Sequence, residues 1–225
     1  MLYSHFGYST VQSIKPRVKK PRAYDSARRQ EQAQESRVAV QQAAREMFLS
    51  RGYAATTIAA VAAKAGVSPE TIYKSFGGKP GLVRAIADQA LGGAGPVHAE
   101  VRSDRLQAAE RDPRKIIRGW GNLMMEVSPR VSPILLLVRT AAATDREMRD
   151  LAKTISEERL RRMTHNARTL VDGGHARKGI TLEHAAELMW TYTAPDLYEL
   201  LVLDRGWTVE RYAQFVVEAL IAALL

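Results

Sequence analysis

The chain contains no cysteine, so neither a disulfide nor a thiolate-bound metal can contribute to its fold or its chemistry. Its longest apolar runs, Ile134 to Val138 and Ala219 to Leu225, fall far short of the roughly 20 residues that a membrane-spanning helix needs. The first 30 residues lack the apolar middle region of a secretory signal, and the sequence therefore reads as cytoplasmic, with no membrane contact. Histidine is sparse. His184 and Glu187 form a lone helical pair, and His5, His98, His165 and His175 complete no ligand set with them. There is no G-x-S-x-G turn and no phosphate loop. These absences point away from an enzyme, a metal site and a cofactor.

Acidic residues are scarce in one part of the chain only. Residues 1–90 hold 14 Lys+Arg against 6 Asp+Glu, whereas residues 91–225 hold 19 against 18, so nearly all of the net charge of +9 lies in the first two-fifths. A basic segment joined to a neutral one implies that the basic part meets a polyanion.

Residues 1–29 show no helical period and read as a flexible basic arm, in which Lys15, Arg17, Lys19, Lys20, Arg22, Arg28 and Arg29 are interrupted by Pro16 and Pro21. From about Gln30 the pattern is helical throughout, and no alternating run suggests a strand. A first helix carries Val40, Ala44, Met47 and Phe48 and ends at Arg51-Gly52. A short second helix follows Thr57, a third opens at Ser68-Pro69, and a fourth begins near Lys79-Pro80 and fades into Gly92 to Pro96. Beyond that boundary, Asp112-Pro113 starts a helix that Ser128-Pro129 and Ser132-Pro133 should break. Ile134 to Ala143 reads as a separate buried helix, and Asp145 to Leu170 as a long charged one with Met148, Leu151, Ile155, Leu160 and Met163 inward. Leu182 to Leu203, kinked at Pro195, and Val209 to Leu225 complete the chain. The fold class expected is all-α. A helix-turn-helix domain (30–92, a three-helix unit) precedes a helical bundle (96–225) for dimerisation and ligand binding.

The segment Thr57–Phe76 carries the chemistry. A helix that reads a major groove must be braced by a second helix crossing it closely, with a turn of only three or four residues between them. Ala62 supplies the small residue at the crossing, Gly66 the left-handed turn, Val67 an apolar plug and Ile72 the anchor to the core. Pro69, Glu70, Thr71, Tyr73 and Lys74 are left facing outward. A plain helical hairpin would also contain Ala-x-x-x-Gly, but the Ser68 cap, Pro69, the Tyr73-Lys74 pair and the basic domain together favour double-stranded DNA.

Thr56-Thr57-Ile58, Val61-Ala62, Ala65 to Ser68, Thr71 to Phe76, Lys79 and Leu82 resemble the tetracycline-repressor (TetR) family over about residues 37–90. Leu200 to Val202, Arg205 to Trp207 and Tyr212 resemble its last two helices more loosely. The resemblance implies that Thr57 holds a phosphate, that Pro69, Glu70 and Thr71 lie nearest the bases behind the Ser68 cap, that Tyr73 and Lys74 meet phosphate, and that Lys79 clamps the DNA backbone. Glu70 departs from the small or basic residue often found there: it could accept from a cytosine amino group or only stabilise its own helix N-terminus. The basic arm could follow the minor groove or act as a nonspecific tail.

The resemblance also implies a dimerising C-terminal domain that binds a small-molecule effector. The wide apolar faces of the last two helices (Leu188, Trp190, Leu197, Leu200, Leu201, Phe215, Val216, Leu220, Leu224) support a homodimer independently, and two recognition helices one duplex turn apart imply a palindromic operator. Candidate ligand-lining residues are Trp120, Met124, Met125, Leu136, Arg139, Trp190, Tyr192 and Tyr198. Arg139, inside an apolar helix, requires either an internal carboxylate or an acidic ligand. The function expected is a sequence-specific transcriptional repressor released by its ligand. The alternative is an architectural or ligand-independent DNA-binding protein, which would leave the large neutral C-terminal domain unexplained.

Overall fold

The computed structural model describes residues 23–225, with side chains from Arg28 onward. Lys15 to Arg22, and with them most of the basic arm expected over 1–29, lie outside the described residues. The chain divides into Met1–Glu35, of which only the first turns of α1 are described, and a compact unit Ser36–Leu225.

Among the described residues all regular structure is helical. Helix α1 spans Ala23–Ala55 and so begins some residues before the helical pattern at Gln30; Gly52, at φ 79°, interrupts it where Arg51-Gly52 was expected to end it. Helices α2 (Ile58–Ala65), α3 (Pro69–Phe76) and α4 (Lys79–Gly92) follow. Thr57 and Ser68 cap α2 and α3 through their hydroxyls, accepting from the amides of Ala60 (3.2 Å) and Thr71 (3.3 Å). Such a cap is worth about 1 kcal/mol. Gly66 is left-handed (φ 68°, ψ 31°), and Val67 N donates to Ala62 O at 3.0 Å, which closes the turn between the two helices.

The second half comprises α5 (Ala99–Ala109), α6 (Pro113–Ala142), α7 (Arg146–Asp172), α8 (Leu182–Tyr192), α9 (Pro195–Tyr198), a π-helical turn (Glu199–Asp204) and α10 (Val209–Leu224). Helix α6 corrects the sequence reading, because it runs unbroken through Pro129 and Pro133. A proline removes one ladder N–H and crowds the carbonyl four residues back. Here Arg130 donates to the Glu126 carbonyl (2.6 Å) and Arg45 to the Arg130 carbonyl (2.9 Å), while Val131, Ser132, Ile134 and Leu135 are buried against neighbouring helices. The carbonyls that the prolines leave without a ladder partner are those of Met125 and Pro129, so the packing of the buried side chains, and not these two bonds, outweighs the local penalty. Pro195, expected to kink one helix, instead ends it: α8 stops at Tyr192 and Pro195 takes the first position of α9, where its missing N–H costs nothing. On α7, Leu160 faces outward rather than inward.

Helix α4 links the two ends of the unit. It packs on α3 and also on α5, α6 and α7. One apolar cluster joins α1–α4 to the second half of α6 and the start of α7. A second joins the first half of α6 to the end of α7, α8, α9 and α10. No helix of the described residues is long and apolar enough to cross a membrane.

At the bend between α4 and α5, Glu126 of α6 ties the loop down. Its carboxylate accepts from both terminal nitrogens of Arg102 (2.6 and 2.8 Å) and from the amide of Ala94. The Arg102 guanidinium first, and the Ala94 N–H second, hold its pKa down to about 2. A depressed carboxylate stabilises the fold above its unfolded pKa and loses that contribution as pH falls through its folded value. Glu126→Gln is therefore expected to cost about 1 kcal/mol at pH 7, the scale of an accessible ion pair. The difference from the parent protein should shrink between about pH 4.5 and pH 2, as urea melts across that range would show.

Candidate nucleic-acid interface and ligand cavity

Helix α3 places one buried side chain inward and its polar set outward. Ile72 is fully buried, whereas its neighbour Tyr73 is 57% exposed and Lys74 and Glu70 are exposed. The Glu70 carboxylate is held below its usual range by its own backbone N–H and then by the Ser68 hydroxyl, which places it on the helix N-terminus of the free protein. Ser68 also lies 3.2 Å from the Thr71 hydroxyl. Pro69 occupies the first turn and Thr71 is half-buried.

Thr57, Tyr73 and Lys79 come together on a shallow groove that Ile58, Ala59, Gly77 and Gly78 also line. The groove contains the N-terminus of α2, whose free amides attract anions. Lys79 sits in it with its ammonium turned onto the protein: it donates to the carbonyls of Tyr53 (2.7 Å) and Thr56 (3.0 Å) and stands 4.0 Å from the Tyr53 ring centre. Burial lowers its pKa. Two of its three N–H donors are thus used to fasten the turn that presents Thr57. The sequence did not single out Arg37, which lies 4.4 Å over Phe76 and donates to the Ser75 carbonyl (2.9 Å), bracing the end of α3.

The second site is a cavity of about 700 Å³ bounded by α4, α5, α6, α7, α8 and α10. Of the candidate ligand residues, Trp120 and Met124 line it. Leu136, Arg139, Trp190 and Tyr198 do not. Leu136 and Tyr198 are core, with Tyr198 edge-on to Tyr212 at 5.4 Å. Trp190 stacks beneath Arg159. Arg139 lies at the surface, where it pairs with Asp196 and with Glu199 (2.6 Å), so its partner is the protein's own carboxylates. Met125 and Tyr192 are also absent from the wall. The wall residues that sequence reasoning missed, Arg159, Arg162 and Asn166 among them, lie along one face of α7. The only sequence signal for them was their spacing of three and four.

Known proteins resemble this chain in the sequence of its first helices and in its fold. Residues 41–86 match the family model described as bacterial regulatory proteins, tetR family. YvkB, an HTH-type transcriptional regulator of Bacillus subtilis, is 25% identical over 163 residues, covering 72% of this chain and 82% of its own. The HTH-type transcriptional regulator TtgR of Pseudomonas putida is 44% identical over 61 residues, 27% of this chain and 29% of TtgR. NalD, the secondary repressor of the MexAB-OprM multidrug efflux pump in Pseudomonas aeruginosa, shares the fold at TM-score 0.64 and 19% identity, over 87% of this chain and 98% of NalD. SmeT, the repressor of a multidrug efflux pump in Stenotrophomonas maltophilia, has been solved in complex with triclosan. It shares the fold at TM-score 0.67 and 19% identity, over 84% of this chain and 91% of its own. Residues 41–86 thus match the tetR family of bacterial regulatory proteins, which the rest of the chain resembles in fold, and the chain is a DNA-binding transcription regulator.

Proposed function

We propose that the protein is a repressor that binds a near-palindromic operator as a homodimer and leaves it when a small molecule fills the C-terminal cavity. Residues 30–92 would read DNA, and residues 96–225 would dimerise and sense the ligand. The observation that carries this reading is the position of α4. Arg84, Ala87, Asp88 and Leu91 of α4 form part of the cavity wall, and the same helix packs on α3. A ligand that displaces α4 therefore changes where α3 points, and two half-sites one duplex turn apart tolerate little change in spacing. Relatives of this fold named as repressors of efflux pumps, one of them solved with triclosan, support the same reading.

On the DNA side, Thr57, Tyr73, Lys74 and the remaining donor of Lys79 would hold phosphate, while Pro69, Glu70 and Thr71, behind the Ser68 cap, would lie against base edges. No catalytic step and no cofactor enter this mechanism. Selection of bound fragments from a genomic pool, followed by footprinting, tests it: a discrete palindrome is expected, and diffuse protection would instead indicate an architectural protein. On that operator, Lys74→Ala should weaken binding about tenfold. It should also lower the slope of log affinity against log salt by about 1 per subunit, equally across sequence variants, as a phosphate contact does.

A further inference from the structure

Four guanidinium groups line the cavity, and three of them already have carboxylates. Arg84 pairs with Asp88 (2.8 Å) and Glu158 (2.8 Å), Arg161 also approaches Glu158 (4.0 Å), and Arg162 pairs with Asp104 (2.7 Å). Arg159 differs. It donates one N–H to the Trp190 carbonyl (2.9 Å) and lies 5.2 Å from the centre of that ring, but no carboxylate of the described residues is within ion-pair distance. A guanidinium has five N–H donors, and a half-buried one without a counter-charge is an incomplete site. Burial pushes its pKa down, the direction opposite to that of Arg84, and outweighs the pull of Asp196, a carboxylate already paired with Arg139.

A second donor on the same wall is also unsatisfied. Trp120 is 8% exposed, and its indole N–H finds no acceptor. The polar cluster nearby has no such need, since Gln107 bonds to the Ser103 hydroxyl (3.0 Å) and to the Asn166 carbonyl (3.1 Å). Of the acidic wall residues, Asp88 and Glu158 are engaged by Arg84, and Glu100 is exposed to solvent. The rest of the lining is largely apolar, with Ile117, Val127, Leu135, Val216 and Leu220.

We propose that the cavity takes an amphipathic organic anion whose charged end is held by Arg159 and whose apolar body fills the space between α6, α7 and α10. The proposal rests on the ligand-responsive reading above and names the chemical class of that ligand. A carboxylate meets the edge of the planar guanidinium through two parallel bonds, which are shorter and stronger than neutral ones in such surroundings. A volume near 700 Å³ lies in the range of sites for small organic ligands.

Calorimetric titration of the full-length protein with decanoate and with 1-decanol tests the assignment, because the two probes differ only in the head group. Decanoate is expected to bind at least tenfold more tightly than decanol. Arg159→Gln, which keeps a donor for the Trp190 carbonyl, should weaken decanoate at least tenfold and change decanol less than twofold; the decanol result shows that the cavity is intact. Arg159→Lys should retain most of the preference for the anion. Equal affinity for the two probes, or a decanoate affinity unchanged in Arg159→Gln, overturns the assignment. If decanol nonetheless releases operator DNA, the ligand-responsive reading stands without the anion. If neither probe binds, that reading falls as well.

Discussion

Replacing Ile72 with alanine is expected to cost about 2–5 kcal/mol of stability and to abolish operator binding with it. Helix α3 has eight residues, too few to hold together in water by itself. Ile72 is its one fully buried side chain and belongs to the cluster that includes Val61, Ala62 and Leu82, while Val67 and Phe76 pack beside it at partial burial. Truncation leaves a void that the flanking helices close only by moving α3, and a recognition helix displaced by a fraction of a turn no longer meets the same base edges. Tyr73→Ala, one residue along, is the control. Its ring faces solvent, so the melt should shift by less than about 0.5 kcal/mol while DNA affinity falls about tenfold. Urea denaturation followed by circular dichroism, paired with fluorescence anisotropy on a labelled operator, separates the two effects. Equal stability of the two variants would show that α3 is anchored elsewhere.

The contrast between residues 72 and 73 also explains why the DNA-binding end was legible in the sequence. Caps, turn glycines and the inward side of a short helix depend on neighbours within four residues, and those neighbours are adjacent in the text. Thr57, Gly66, Ser68 and Ile72 all take the positions their chemistry requires. The C-terminal half depends instead on which helix faces which. Pro129 and Pro133 read as breaks because their local cost is visible and the packing that offsets it is not. Arg139 read as a buried charge because its helix is apolar, yet its guanidinium reaches Asp196 and Glu199, nearly 60 positions away. Arg159 passed unnoticed because a charged residue on a long charged helix looks solvated. Only the closing of α8 and its Trp190 carbonyl over it shows otherwise. Helical spacing identifies a face but not the partner of that face.

The apolar faces of the last two helices divide in the same way, and the division locates the second large effect. Val216, Leu220 and Leu224 fill the subunit's own core, whereas Leu200 and Leu203 remain 53% exposed and Phe215 38% exposed. Phe215 is held edge-on by Trp207 at 5.8 Å, and Arg211 lies 3.9 Å above that indole, so the exposed ring is fixed in place rather than loose. Exposed apolar side chains held in a fixed arrangement mark a surface that a partner covers. In the proposed homodimer that partner is a second copy, meeting the π-helical turn and α10. Joint replacement Leu200→Glu and Phe215→Glu places like charges across a two-fold axis and should leave a monomer in sedimentation velocity. Operator affinity should then fall about 10³-fold, because the second half-site is no longer bound at the high effective concentration that dimerisation supplies. Melting should also change character: the parent protein's midpoint rises with protein concentration, and the double variant's does not. A double variant that still sediments as a dimer would move the interface off these helices. A monomer that kept full operator affinity would mean that one helix-turn-helix suffices, which the small contact area of α3 argues against.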